Sequence, residues 1–492
     1  MLGRVRTSTA LLACLLAGLA AAAPGVAGAP RNQPLVTAIT DAEYGDMDYR
    51  VGYARTRAAG ATAIRFYQGW NLIAPASKPA NFNAADPADP AYNWAGLDSK
   101  VVNAVAAGLE PILSFSHAPG WAQTLAVEDG RLDGNYAPDP NEFGAFATAV
   151  AARYSGRFRG LPRVRYYQAW NEPNLGWNLM PQYNTPWSRP VTASSQPVSP
   201  HVYLPMLNAF TAGVRAVNRD NLVVGGGLAP FGRYGARDHG VAPLPFMRTM
   251  LCLTSRDRPQ SGCNRRASFD AWGHDPYTQG GPETRPRVPG NVTLGNLGEV
   301  RRTLTAASRA GRISSTGPVR FWVLEFGWNT KPPFARGVPT RLHARWVAEA
   351  LYRMWRDGVS LVTWYQLRDA ATYDAGVHFQ AGLYTHCARG SACDRPKLSL
   401  GAFRFPFVAY KSGPRVSVWA RTPAGKPGSV TIEQRVGRRW QRLARLPTNR
   451  HGIVEVRLPR RGDGDLRATS GTARAVPFSL TRPPNRVIIP AL

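Results

Sequence analysis

Several things are missing from this sequence, and each absence removes a class of function. No glycine-rich phosphate loop opens a helix, no His-Glu-x-x-His occurs, and there is no Gly-x-Ser-x-Gly elbow. A nucleotide cofactor, a zinc-peptidase centre and a hydrolytic serine are therefore unsupported, and no cofactor or metal is expected. Past residue 29 no apolar stretch is long enough to span a bilayer. Acidic side chains are scarce, 31 against 60 Lys and Arg, which leaves a formal net charge of +29. The arginines that carry most of this charge are scattered, and no nucleic-acid-binding motif accompanies them. The excess therefore reads as a bias of composition, and nucleic acid is not an expected partner. A weak association with polyanions or the cell envelope is the partner expectation that remains.

Cysteine is also rare, and where it falls is informative. The first 29 residues carry Arg4 and Arg6, then an apolar run over 10–23, then small residues ending at Ala27-Gly28-Ala29. This is the pattern of a secretory signal peptide, so the mature chain is expected outside the cell. Cys14 lies inside that segment. Its surroundings fit lipoprotein processing poorly, because the apolar stretch before it is short and continues past it. Of the five cysteines, four then remain, and their spacing pairs Cys252 with Cys263 and Cys387 with Cys393 in an oxidising compartment. Neither pair has the close ligand spacing of a zinc knuckle.

From Leu35 onward, β-rich runs alternate with helix-like segments. Strand ends fall at 36–40, 63–67, 111–115, 164–170, 222–226, 269–272, 321–325 and 361–365, with helices such as 141–154, 202–217 and 340–357 between them. Eight such units in this length predict an α/β fold, a (β/α)8 TIM barrel, over residues 30–410. The segments 177–200 and 280–290 are too long and too rich in Pro for simple turns, and the first is a candidate wall or lid of a cleft. Over 411–492 the pattern changes to short strands at 416–420, 429–436, 440–445, 452–458 and 466–468. These predict a small, basic, all-β sandwich. Its few aromatics, Trp419 and Trp440, favour packing or attachment over glycan binding.

The most telling stretch is Tyr166-Tyr167-Gln168-Ala169-Trp170-Asn171-Glu172-Pro173-Asn174. Bulky β-formers run straight into a carboxylate fixed by proline, where a buried strand opens into a loop. A second strand, from Arg320 to Trp328, reaches Glu325 among apolar and aromatic neighbours. Two strand-end carboxylates suit the cleavage of an acetal: one carboxyl protonates the leaving oxygen while the other, ionised, supports the oxocarbenium-like carbon. The plainer alternative is that each glutamate pairs with one of the many arginines. Two such glutamates on separate strands favour the chemistry.

Trp170-Asn171-Glu172-Pro173-Asn174 resembles the acid/base strand of clan A glycoside hydrolases, closest to family 39. The resemblance covers roughly residues 35–410. It implies that Glu172 is the acid/base at the end of the fourth strand and Glu325 the nucleophile at the end of the seventh. It further implies that Arg65 lies beside the nucleophile, that Asn171 meets the sugar 2-hydroxyl, and that His274 and Tyr277 hold the nucleophile and line the pocket. By position alone, His117 and Trp121 after strand three are candidate substrate contacts. Trp177, Trp328 and above all Trp364 are candidate platforms for a sugar face. The resulting expectation is a retaining glycosidase acting on a β-linked glycan, with carboxyl oxygens about 5 Å apart. A transglycosylase or cellulase-like endo-glycanase of the same clan is the enzymatic alternative. A noncatalytic glycan- or envelope-binding protein is the alternative of another class.

Overall fold

The structure, a computed structural model, describes residues 32–41, 48–126, 134–372 and 379–481, so the expected signal segment lies outside the described residues. Eight parallel strands close into one barrel: β1 (Val36–Thr40), β2 (Ala63–Gly69), β3 (Glu110–Ser116), β4 (Tyr166–Ala169), β5 (Leu222–Leu228), β6 (Ala271–His274), β7 (Arg320–Val323) and β8 (Val359–Tyr365). Each pairs with its neighbours in sequence, and β8 closes on β1. All eight strands lie within two residues of where their apolar runs predict them, β4 starting two residues late and β8 two early, and β6 is shifted by two residues at both ends. The reason for the late start of β6 is Asp270, whose Oδ2 accepts from the Val223 N–H (2.9 Å) and Oδ1 from the Thr316 N–H (2.8 Å), which holds that residue in the turn below the strand.

A parallel barrel buries both faces of every strand, so alternate residues have two destinations. Ala38, Ala63, Ile112, Val224, Ala271, Trp322, Leu324 and Leu361 fill the interior. Ile39, Ile64, Leu113, Tyr167, Val223, Trp272, Val323 and Val362 face the other way into the layer shared with the helices. The helices follow the prediction closely, with Pro140–Arg153, Ser199–Val217 and Thr340–Arg356 among them. The first begins at Asp139, whose carboxylate accepts from the N–H groups of Asn141 and Glu142, with Pro140 at the first helical position. It packs on the second at very short range. A Cβ on Gly213 would lie 2.3 Å from the Gly144 carbonyl oxygen, so the crossing requires glycine there.

The C-terminal region forms two antiparallel sheets, one of three strands (Phe407–Ser412, Arg415–Arg421, Ile453–Pro459) and one of four (Arg439–Pro447, Ser429–Val436, Leu466–Ser470, Ala473–Arg474). Phe407 already pairs with Ala420, so this sheet starts ahead of residue 411. Trp419 is buried against Tyr352 and Trp355 of the helix Thr340–Arg356, at ring distances of 5.5 and 5.8 Å, and seats the β-region on the barrel. Trp440 stays partly exposed, with the Arg467 guanidinium 4.3 Å over its ring. Two disulfides, Cys252–Cys263 and Cys387–Cys393, span Cα separations of 5.5 and 5.7 Å, within the range such bridges require. Among the described residues no helix is long and apolar enough to cross a membrane.

Candidate active site

The barrel's alternation carries on to its carboxyl-terminal mouth. Arg65 continues the inward series of β2 from Ala63, and it is fully buried at the centre of a four-way network. Its Nε donates to Gln168 Oε1 (2.8 Å), Nη1 to Glu325 Oε1 (2.6 Å), and Nη2 to both Asn171 Oδ1 (2.6 Å) and Ser114 Oγ (3.2 Å). One guanidinium thus ties β2, β3, β4 and the end of β7 together. The rigid fork of arginine allows this, and a lysine would not reach four partners.

Beyond Ala169 the backbone turns through left-handed conformations at Trp170 (φ 69°) and Glu172 (φ 41°), which are uncommon for residues with side chains. Two anchors hold the turn. The Glu172 N–H donates to the Gly227 carbonyl (2.9 Å), and the buried Trp170 ring donates from Nε1 to the Asn178 carbonyl (2.7 Å). The result directs Glu172 into a cavity of about 600 Å³ that Glu325 also lines. The two carboxyls have different partners. Glu325 is ion-paired with Arg65 and accepts from the Tyr277 hydroxyl on Oε2 (3.2 Å). Glu172 has one long contact, from Asn178 Nδ2 at 3.4 Å. Burial first, and then the charge of Glu325, push the Glu172 carboxyl up to about 8, against the pull of Arg65 and Arg233.

Aromatic and polar groups complete the cavity, among them Tyr67, Phe231, Arg233, Tyr365 and Phe379. Arg233 is carried by a hairpin, Arg233–Gly235 with Asp238–Gly240, that follows β5. The segment 177–200, expected as a wall, lies mostly behind this hairpin: the Val191 N–H donates to the Tyr234 carbonyl (2.9 Å) and the Arg237 N–H to the Trp187 carbonyl (2.8 Å). From that segment only Asn178 reaches the cavity, and 280–290 contributes no lining residue. Among the described residues no three or more His, Cys, Asp or Glu side chains are grouped to hold a metal ion.

Of the residues singled out in the sequence, Arg65, Asn171, Glu172, Tyr277 and Glu325 meet in this cavity. The other six do not line it. His274 falls on the outward side of β6, fully buried, with Nε2 at the Val292 carbonyl (3.0 Å). Trp364 is on the outward side of β8, packed on Phe326 and donating to the Ala381 carbonyl, and the residue that lines the cavity is its neighbour Tyr365. Trp121 packs on Phe82 and Trp70 and donates to the Pro75 carbonyl (2.8 Å). His117 stands one step back, its Nδ1 3.1 Å from the hydroxyl of the cavity residue Tyr67 and 2.8 Å from Ser116 Oγ. Trp328 is buried and donates to the Thr278 and Gly280 carbonyls, while Trp177 is exposed outside the cavity lining. Sequence reasoning missed Ser114, Gln168, Tyr67 and Tyr365. All four were within reach of a count by twos from the inward positions Ile112, Tyr166, Ala63 and Leu361.

Neither a protein-family model nor a curated protein matches the chain. Among solved structures it is similar to a family 39 glycoside hydrolase from the gut symbiont Bacteroides cellulosilyticus WH2, at 16% identity and a TM-score of 0.51, over 87% of this chain and 81% of that one. What they share is the barrel fold. The chain also aligns with a glucosidase from Croceicoccus marinus at 12% identity and a TM-score of 0.48, covering 92% of this chain and 94% of that one. A GH30 endoxylanase from Clostridium papyrosolvens C71 aligns at 10% identity and a TM-score of 0.44, covering 88% and 95%.

Proposed function

We propose that this chain is a retaining glycoside hydrolase that cleaves the O-glycosidic bonds of a β-linked glycan, with Glu172 as acid/base and Glu325 as nucleophile. The observation that carries the reading is the unequal setting of two carboxyls in one cavity. Glu172 is poor in partners and holds its proton to about 8, while Glu325 is ion-paired with Arg65. That is the division of labour double displacement requires. Barrel architecture shared with a family 39 glycoside hydrolase is consistent with it.

In the first step the Glu325 carboxylate attacks the anomeric carbon as the Glu172 proton passes to the leaving oxygen, giving a glycosyl ester and a free alcohol. In the second, Glu172 removes a proton from water, the water oxygen attacks the same carbon, and Glu325 leaves as carboxylate. Arg65 and Tyr277 steady Glu325 in both steps. Asn171 presents its Oδ1 to Arg65, which leaves its Nδ2 to meet the sugar 2-hydroxyl. Two disulfides favour an oxidising, extracytoplasmic setting, in keeping with secretion. The test is turnover of a panel of aryl β-glycosides with the first-formed sugar anomer read by NMR. A β product is expected, and an α product would overturn the retaining assignment.

A further inference from the structure

Asp275 is a third carboxyl at the catalytic pair, and nothing in the reaction above uses it. It lies two residues past Gly273, an inward position whose Cβ would meet the interior residue Leu324 at 2.3 Å. Asp275 therefore continues the inward series of β6, where its neighbour His274 does not. The residue is 0% exposed, and neither Oδ1 nor Oδ2 makes a well-formed hydrogen bond, the Glu325 backbone N–H facing the carboxyl at less than good geometry. Its backbone, in contrast, is fully engaged: the N–H donates to the Leu228 carbonyl (2.9 Å), and the carbonyl accepts from the Tyr277 N–H (2.9 Å). That second bond shapes the turn which places the Tyr277 hydroxyl on Glu325.

The charged groups that act on the Asp275 carboxyl are Glu325, Glu172 and Arg65, and the donor directed toward it is the Glu325 backbone N–H. Arg65 is committed to Gln168, Glu325, Asn171 and Ser114. An ionised carboxylate buried beside two glutamates and lacking its own cation is strongly disfavoured. Burial and the two glutamate charges accordingly push the Asp275 carboxyl well above the usual range. The charge count agrees. Arg65 is committed to Glu325 at rest and Arg233 bears on Glu172, so neither cation is left to hold a charge on the third carboxyl.

We propose that Asp275 is a positioning residue for Glu325: it stays protonated through the reaction and serves as an uncharged hydrogen-bonding group behind the nucleophile, leaving Arg65 to Glu325. The mechanistic part of this inference rests on the proposed glycosidase function, while the protonation part does not. Two measurements therefore separate the failures. In the first, infrared difference spectra at neutral pH compare Glu172→Gln with Glu172→Gln/Asp275→Asn. Loss of a protonated-carboxyl C=O band is expected, and loss of a carboxylate band instead would overturn the proposal whether or not the protein hydrolyses glycosides. In the second, Asp275→Leu should lower kcat about 100-fold with little change in KM, as expected for a small displacement of a reacting group, and Asp275→Asn should recover at least about tenfold of that loss. Equal rates in the Leu and Asn variants would remove the hydrogen-bonding role. Should Asp275→Leu fail to fold, the infrared comparison still decides.

Discussion

Two buried carboxylate–arginine clusters in this molecule look alike in composition and differ in purpose. In one, Asp394 has a fully buried side chain whose Oδ2 accepts from Arg55 (2.7 Å) and Arg368 (2.8 Å) and whose Oδ1 accepts from the Cys387 N–H (2.8 Å). Every strong direction is filled, and the cluster ties the first helix, Tyr49–Ala58, to the segment after β8. In the other, at the barrel mouth, Arg65 serves Glu325 while Glu172, in the same cavity, has a single contact at 3.4 Å and a proton held up to about 8. A saturated carboxylate stabilises, and a deprived one is poised for chemistry. Counting arginines near glutamates in the sequence cannot separate the two, since what distinguishes them is how many partners each carboxyl lacks.

The comparison is sharpest when one carboxylate is removed from each cluster. Glu325→Ala should lower kcat at least about 10⁴-fold, because no glycosyl-enzyme forms. Its loss of stability should be smaller than that of Asp394→Ala, since Arg65 keeps Gln168, Asn171 and Ser114 as partners and Glu172 in the same cavity can take up the negative charge. Asp394→Ala should do the reverse. It leaves the buried Arg368 and the partly exposed Arg55 without their counterion and should cost about 3 kcal/mol in denaturant unfolding, while kcat of the folded fraction stays within a few-fold. A catalytic collapse in Asp394→Ala at full stability would erase the distinction.

Replacing Cys387 and Cys393 by serine opens the short loop that presents the Cys387 N–H to Asp394, and should cost about 2 kcal/mol in urea unfolding with activity retained. A smaller effect concerns pH. As the proposed acid, Glu172 must carry its proton, so the basic limb of kcat/KM should fall as pH rises through about 8. Arg233 favours the ionised form of Glu172. Arg233→Gln should therefore move this basic limb upward by up to about one pH unit, whereas Asp394→Ala should leave it in place.

Much of the fold was legible because a parallel barrel imposes a strong pattern: eight apolar runs separated by helix-length segments, each buried on both faces. Glu172 and Glu325 were legible because a carboxylate placed directly after such a run, and fixed there by Pro173 or by aromatic neighbours, has few structural explanations. The losses come from phase. His274 and Trp364 have suggestive chemistry, but they stand one residue out of step with Asp275 and Tyr365, and in a strand one residue reverses the face. Trp121 was lost for another reason: its indole is taken up by Phe82 and the Pro75 carbonyl, which come from a different βα segment and leave no local mark. Arg233 entered through a hairpin whose docking depends on long-range contacts with 177–200.

Azide rescue of Glu172→Ala decides between the proposed roles, Glu172 as acid/base and Glu325 as nucleophile, and their reverse. With an aryl β-glycoside carrying a good leaving group, glycosylation needs little protonation, and azide replaces the water that Glu172 would activate. Azide should restore turnover, and NMR of the product should show a β-glycosyl azide. An α-glycosyl azide from this variant would contradict the proposed roles and make Glu172 the nucleophile.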